Sequence, residues 1–243
     1  MSIIWRALYI DDDPDYLKGV TEALNGTKVL EPDHILSIET TQDFKDAIPE
    51  IESKRFDLVI TDLRLGDTLA EVAEEEGIKT LELIKAKKFL PVIFYTVIPN
   101  KLKDLSSHLV KVVDKKDGEE KLLEAIKDVF NERLPIVNRA LITHFEEVQR
   151  QYMWDFVAKN WDEFGASVDN AELAILLARR LSVTFCGEKI GKLVSNIDRG
   201  MRYQYQPGKA HPVEYYLMPP AEEEFMAGDI FIRKEQMKNI KYS

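Results

Sequence analysis

The chain has 243 residues, 45% of them hydrophobic and 31% charged, enough to bury one large core or two ordinary ones. No run approaches the roughly 18 consecutive apolar residues of a spanning helix, and Met1-Ser2-Ile3-Ile4-Trp5-Arg6 lacks the layout of a secretory signal, so a cytoplasmic protein with no membrane partner is expected. Cys186, the single cysteine, excludes an internal disulfide framework and a cysteine-based zinc cluster, and the net charge of −10 speaks against nucleic acid as a partner.

That charge is unevenly placed, −9 over residues 1–133 and −1 over residues 134–243. In the acidic part, strand and helix signals alternate at the spacing of βα units. Ala7 to Ile10 is a short apolar strand. Pro14 to Leu24 follows as a helix with Tyr16, Leu17, Val20, Ala23 and Leu24 on one face, closed by Asn25-Gly26. Ile35 to Glu39 is a second strand, Thr41 to Ser53 a helix, and Leu58 to Thr61 a wholly apolar central strand. Gly66 to Gly77 is acidic and reads as a solvated loop or short helix. Ile78 to Lys87 is a helix, Pro91 to Val97 a strand, Leu102 to Leu109 a weak helix, Lys111 to Val113 a strand, and Glu119 to Arg133 an amphipathic helix. Five strands alternating with five helices imply a doubly wound α/β fold with a five-stranded parallel sheet, because parallel neighbours need helical crossovers.

Leu134-Pro135 marks a boundary, since proline fits the first turn of a new helix. The expected division is 1–133 and 134–243. Val137, Leu141, Phe145, Val148, Tyr152 and Phe156 recur at helical spacing and want a partner surface, supplied by the second domain or by a second copy in a homodimer. Ala171 to Phe185 is another helix. Met201 to Gln206, Pro212 to Met218 and Gly228 to Arg233 alternate with a period of two, as three short antiparallel strands would, which makes the second domain α+β. Arg179, Arg180, Arg199 and Arg202 read as scattered surface arginines rather than a basic patch, and Cys186 as a buried structural thiol.

The chemistry-bearing residues stand where strands stop. Asp11-Asp12-Asp13 follows Ile10, and Asp62 follows Thr61. The C-terminal ends of parallel strands line one edge of an open sheet, so these acids converge on one crevice. Converging carboxylates need a cation, and oxygen donors with room for water and a phosphoryl group suit Mg²⁺. Taken singly, each residue has a bland reading: Asp11-Asp12-Asp13 as a helix cap, Thr96 as a β-branched strand residue, Lys115 as a solvated lysine. Their order at the ends of four different strands is what carries weight.

That ordered set resembles the receiver domains of two-component response regulators, over roughly residues 3–130. The resemblance implies a flavodoxin-like fold in which Asp62 accepts a phosphoryl group from a histidine kinase or phosphotransfer protein. It assigns Mg²⁺ to Asp11, Asp12, Asp62 and the backbone carbonyl of Arg64, and the phosphoryl oxygens to Thr96 and Lys115. Such a protein controls protein–protein contact or assembly through its second domain. The alternatives are a transcription regulator or enzyme whose activity lies there, or a phosphate sink. Four departures from the pattern bear on mechanism. Lys116 replaces the usual proline and can compete with Lys115, and Val97 is bulkier than the usual residue after the threonine. Val112 stands where an aromatic switch residue is usual. The Gly66 to Gly77 insertion adds Asp67 and Glu71 near the site as further candidate ligands.

Overall fold

The computed structural model describes residues 2–30, 33–63, 70–161, 170–184 and 192, all within one compact unit, Met1–Tyr203. Strand β1 runs over Ile3–Ile10, longer than the apolar Ala7 to Ile10 run suggests. Its side chains alternate between two apolar layers: Trp5, Ala7 and Tyr9 enter one, Leu8 and Ile10 the other. A parallel strand covered on both faces reads as a nearly unbroken apolar segment, which is why alternation is invisible in the sequence here.

Helix α1 (Pro14–Leu24) starts at Asp13, whose side chain accepts from the Asp15 amide at 2.9 Å, with Pro14 in its first turn. After it, Gly26 at φ +81° reverses the chain into a short strand β2 (Lys28–Leu30), and β3 follows over His34–Thr41. The remaining order is α2 (Phe44–Ser53), β4 (Leu58–Thr61), α3 (Ala70–Lys87), β5 (Val92–Thr96), a 3₁₀ helix over Pro99–Leu105, β6 (Val110–Asp114) and α4 (Gly118–Asn131). Then come α5 (Leu134–Gln151), a π-helical segment over Tyr152–Val157, and α6 (Asn170–Thr184).

The sheet order is β2-β3-β1-β4-β5-β6. All neighbours are parallel except β2, which pairs antiparallel with β3. The doubly wound receiver-type fold stands, with one correction: the sheet has six strands, because three residues after Gly26 add an antiparallel edge too short to signal itself. Helices α1 and α4 cover one face through Leu17, Val20, Leu122, Ile126 and Phe130. On the other face, α2, α3 and the 3₁₀ helix bring Phe44, Ile51, Leu81, Ile84 and Leu102.

Three more expectations change. The acidic stretch before Gly77 is not separate from the next helix: α3 starts at Ala70 and runs through Gly77 to Lys87. The weak helix expected from Leu102 to Leu109 is a 3₁₀ helix placed earlier, because Pro99 opens it. The stripe on α5 is also shifted. Ile136, Ala140, His144 and Val148 are buried, whereas Phe145 is 41% exposed and Phe156 46%. Ile136 joins the core beside Trp5 and Phe130, and α6 packs on α5.

Helix α5 is fixed to the N-terminal edge of the sheet by Arg139. Its guanidinium lies 3.7 Å from the centre of the Trp5 ring, bonds both carboxylate oxygens of Asp57, and donates to the Ile4 carbonyl at 2.9 Å. Asp57 also accepts from the Arg6 amide at 2.9 Å. The expected strands from Met201 to Arg233, Cys186, Arg199 and Arg202 lie outside the described residues. Among the described residues, no helix is long and apolar enough to cross a membrane.

Candidate functional site

Strand order reverses around β1, with β3 on one side and β4 on the other, so a crevice opens at the C-terminal ends of β1 and β4. Register places Ile10 opposite Thr61, which sets Asp11 and Asp62 side by side. The backbone ties them: the Asp62 amide donates to the Ile10 carbonyl at 2.9 Å, and the Asp11 amide to Thr41 at 3.2 Å. One ligand atom from each of Asp11, Asp12 and Asp62 falls within 4.8 Å of the others. Asp11 and Asp62 are buried and Asp12 is half-buried.

Lys115 enters this cluster from the end of β6. Its side chain is buried, and its ammonium donates to Asp11 Oδ2 and to Asp62 Oδ2, 2.7 Å each. Lys116 is exposed, with its amide bonded to Asp114, so Lys115 takes the pocket without competition. Burial alone would lower the Lys115 pKa, but the bonds to Asp11 and Asp62 together outweigh it and raise it. For Asp11 burial prevails and moves the carboxyl upward, against the opposing pull of Lys115 and Tyr9. The other oxygens are also held, Asp11 Oδ1 by the Asp13 amide at 3.1 Å and Asp62 Oδ1 by the Leu63 amide at 2.6 Å.

Thr96 closes β5, the strand next to β4, and is fully buried. Its hydroxyl accepts from the Ile98 amide at 3.4 Å and, among the described residues, makes no bond to the acids. Arg64 and Asp67 lie outside the described residues, as does the side chain of Glu71. Val112 sits half-buried against the second core layer. The structure therefore gathers Asp11, Asp12, Asp62 and Lys115, with Thr96 at the adjoining strand end.

Sequence reasoning missed three tyrosines. The buried Tyr9 hydroxyl donates to Asp11 Oδ2, and its pKa is raised, first by burial and then by Asp11. Tyr16 on α1 lies beneath the Lys115 ammonium, 4.1 Å from ring centre to nitrogen, and meets Tyr95 edge to face at 6.4 Å. Tyr95 is fully buried with a hydroxyl that has no hydrogen-bond partner among the described residues, and burial pushes its pKa to about 12. Tyr9 was legible: two residues before Asp11 on a strand, it shares that residue's face.

Gly77 explains how α3 reaches the site. A Cβ there would stand 2.8 Å from the Asp62 carbonyl oxygen and 3.1 Å from Leu63 Cα, so only glycine lets the helix lie on the Asp62-Leu63 segment.

Residues 7–127 match the family model of the response regulator receiver domain. They are a receiver domain. Solved structures similar to the chain are matched at low identity. Chemotaxis protein CheY4 of Vibrio cholerae is 21% identical, covering 52% of this chain and 98% of its own, with a TM-score of 0.41. TrrA of Thermotoga maritima, solved in complex with Mg²⁺ and BeF, is 25% identical over 51% of this chain and 98% of that one, with a TM-score of 0.41. RcsB of Salmonella typhimurium, described for its DNA interaction, is 19% identical over 75% and 98%, with a TM-score of 0.40. The expectation that nucleic acid is no partner gains no support from them. No curated protein matches the chain.

The donor set of the receiver pocket fits Mg²⁺. Three convergent carboxylates are hard oxygen ligands, and among the described residues the cation bonded to Asp11 and Asp62 is the flexible ammonium of a lysine.

Proposed function

We propose that this protein is a response regulator that accepts a phosphoryl group on Asp62 and passes the change to residues 134–243. The observation that carries the reading is the Lys115 ammonium shared between Asp11 and Asp62 inside a three-carboxylate cluster. An Asp62 oxygen bonds to phosphorus as the bond from phosphorus to the donor breaks, with the electron pair leaving on the donor, a phosphohistidine of a histidine kinase or phosphotransfer protein. Asp11, Asp12 and Asp62 would hold the metal, with the Arg64 carbonyl as a further ligand. When bound, Mg²⁺ shields the negative charges that otherwise repel nucleophile and phosphoryl group. Lys115 then turns to a phosphoryl oxygen and Thr96 hydrogen-bonds another.

The output follows from α5, which belongs structurally to the receiver through Ile136 and Arg139 while presenting Leu141 and Phe145 to solvent, a stripe that Phe156 continues on the π-helical segment. We assign that exposed stripe to regulated assembly with a second copy, in the cytoplasm where histidine kinases act. Incubation with acetyl phosphate and Mg²⁺ labels the wild type and not Asp62→Ala; equal labelling of both would remove Asp62 from the reading. Beryllofluoride with Mg²⁺ raises the solution mass, and an unchanged mass would dissociate the stripe from assembly.

A further inference from the structure

Lys115 has three partners: Asp11, Asp62 and the face of Tyr16. Two of them are the carboxylates that a divalent metal claims. When Asp11 and Asp62 turn their oxygens to a metal, the ammonium loses both bonds and faces an added double positive charge a few ångströms away. A flexible lysine in that position is driven toward water. A ring face holds a cation through its quadrupole and is no ligand for Mg²⁺, so the metal cannot take it.

Resting on the phosphoacceptor reading, we propose that Tyr16 is a positioning residue. It keeps the Lys115 ammonium inside the pocket when the carboxylates are engaged by metal, so that the charge is in place for the incoming phosphoryl group. Tyr16 is fixed for this role. It sits in the first turn of α1, anchored by the Asp13 cap and Pro14, and its ring stands at 88° to that of the wholly buried Tyr95. Tyr16 is only partly buried against the first core layer, so its ring contacts both that layer and the Lys115 ammonium.

The 243-residue chain tests this with three variants and four readouts, of which only one, labelling by acetyl phosphate, is turnover. Tyr16→Phe keeps the ring face, Tyr16→Leu keeps apolar volume without it, and Asp62→Asn removes the acceptor. Beryllofluoride affinity at saturating Mg²⁺ falls about tenfold in Tyr16→Leu and stays at the wild-type value in Tyr16→Phe, because a desolvated cation over a ring contributes on that order. The initial rate of labelling by acetyl phosphate falls in parallel, while Mg²⁺ affinity is not weakened, since Lys115 leaves the acids more readily. Ring-current displacement of the Lys115 ε-methylene resonance persists with Mg²⁺ in the wild type and Tyr16→Phe. Wild-type affinity and rate in a folded Tyr16→Leu, or loss of the ring-current displacement on adding Mg²⁺ to the wild type, overturns the assignment while leaving Asp62 as the acceptor. Absence of label in the wild type, as in Asp62→Asn, overturns the underlying reading and Tyr16 with it.

Discussion

At Lys115, one ammonium balances two buried carboxylates. Removing such a cation leaves two neighbouring buried carboxylates held only by neutral donors such as Tyr9 and the Asp13 and Leu63 amides, and breaking one side of a buried pair costs about 3 kcal/mol or more. Lys115→Met is therefore expected to lower the unfolding free energy by about 3 kcal/mol in metal-free urea titrations. Added Mg²⁺ recovers part of the loss, because a ligand that binds only the folded state adds to its stability. Glu39 gives the opposite kind of test, at the surface. The hydrogen bond from Arg6, helped by Lys54 at 3.2 Å, holds its carboxyl below the ordinary value of 4.5. A carboxyl lowered in the folded state stabilises it above that ordinary value, and the contribution fades as pH falls through the lower folded value. The urea midpoint of Glu39→Gln should thus lie below the wild type at pH 7 and converge with it once the pH falls below the lowered folded value.

Among the elements, α3 shows how a helix is aimed by one residue. In an open helix, Gly→Ala stabilises by about 1 kcal/mol. At Gly77 the sign reverses, since the new methyl would press on the backbone of Asp62 and Leu63 rather than on a yielding side chain. Gly77→Ala should cost about 1 to 3 kcal/mol in denaturant and slow labelling of Asp62, which a comparison of midpoints and initial rates will show. This contact was not legible in the sequence, where Gly77 reads as the end of a charged run. The strand ends were legible, because βα alternation fixes which residue follows each apolar segment and the parallel sheet then gathers Asp11, Asp62, Thr96 and Lys115 along one edge. The buried face of α5 was not. Helical spacing supports two overlapping stripes, and the one that packs contains Ala140 and His144 while the one left exposed contains Leu141 and Phe145. Burial there is decided by the approach of Arg139 and Ile136 to Trp5, a tertiary contact that periodicity does not encode.

For the molecule as a whole, chemistry and anchorage sit at opposite ends of the sheet. Asp57 precedes β4 and receives Arg139; Asp62 follows the same strand and receives Lys115. Removing Arg139 leaves the Asp57 carboxylate with only the Arg6 amide and uncovers one face of Trp5. Arg139→Ala should lower stability by about 2 to 4 kcal/mol, measured by urea unfolding, and limited proteolysis should then cut α5 before any receiver helix.

Strand β1 carries Trp5, Ala7 and Tyr9 in sequence on a single side, and Asp11 follows directly after its end, with the Tyr9 hydroxyl bonded to it. The indole beneath α5 and the acid in the pocket are therefore about 20 Å apart. Of the three tryptophans, Trp5 is fully buried, whereas Trp154 and Trp161 are exposed. The chain thus contains its own optical gauge: the buried Trp5 indole is expected to emit at the blue edge and to shift red when α5 leaves it, apart from the already red emission of the two exposed indoles.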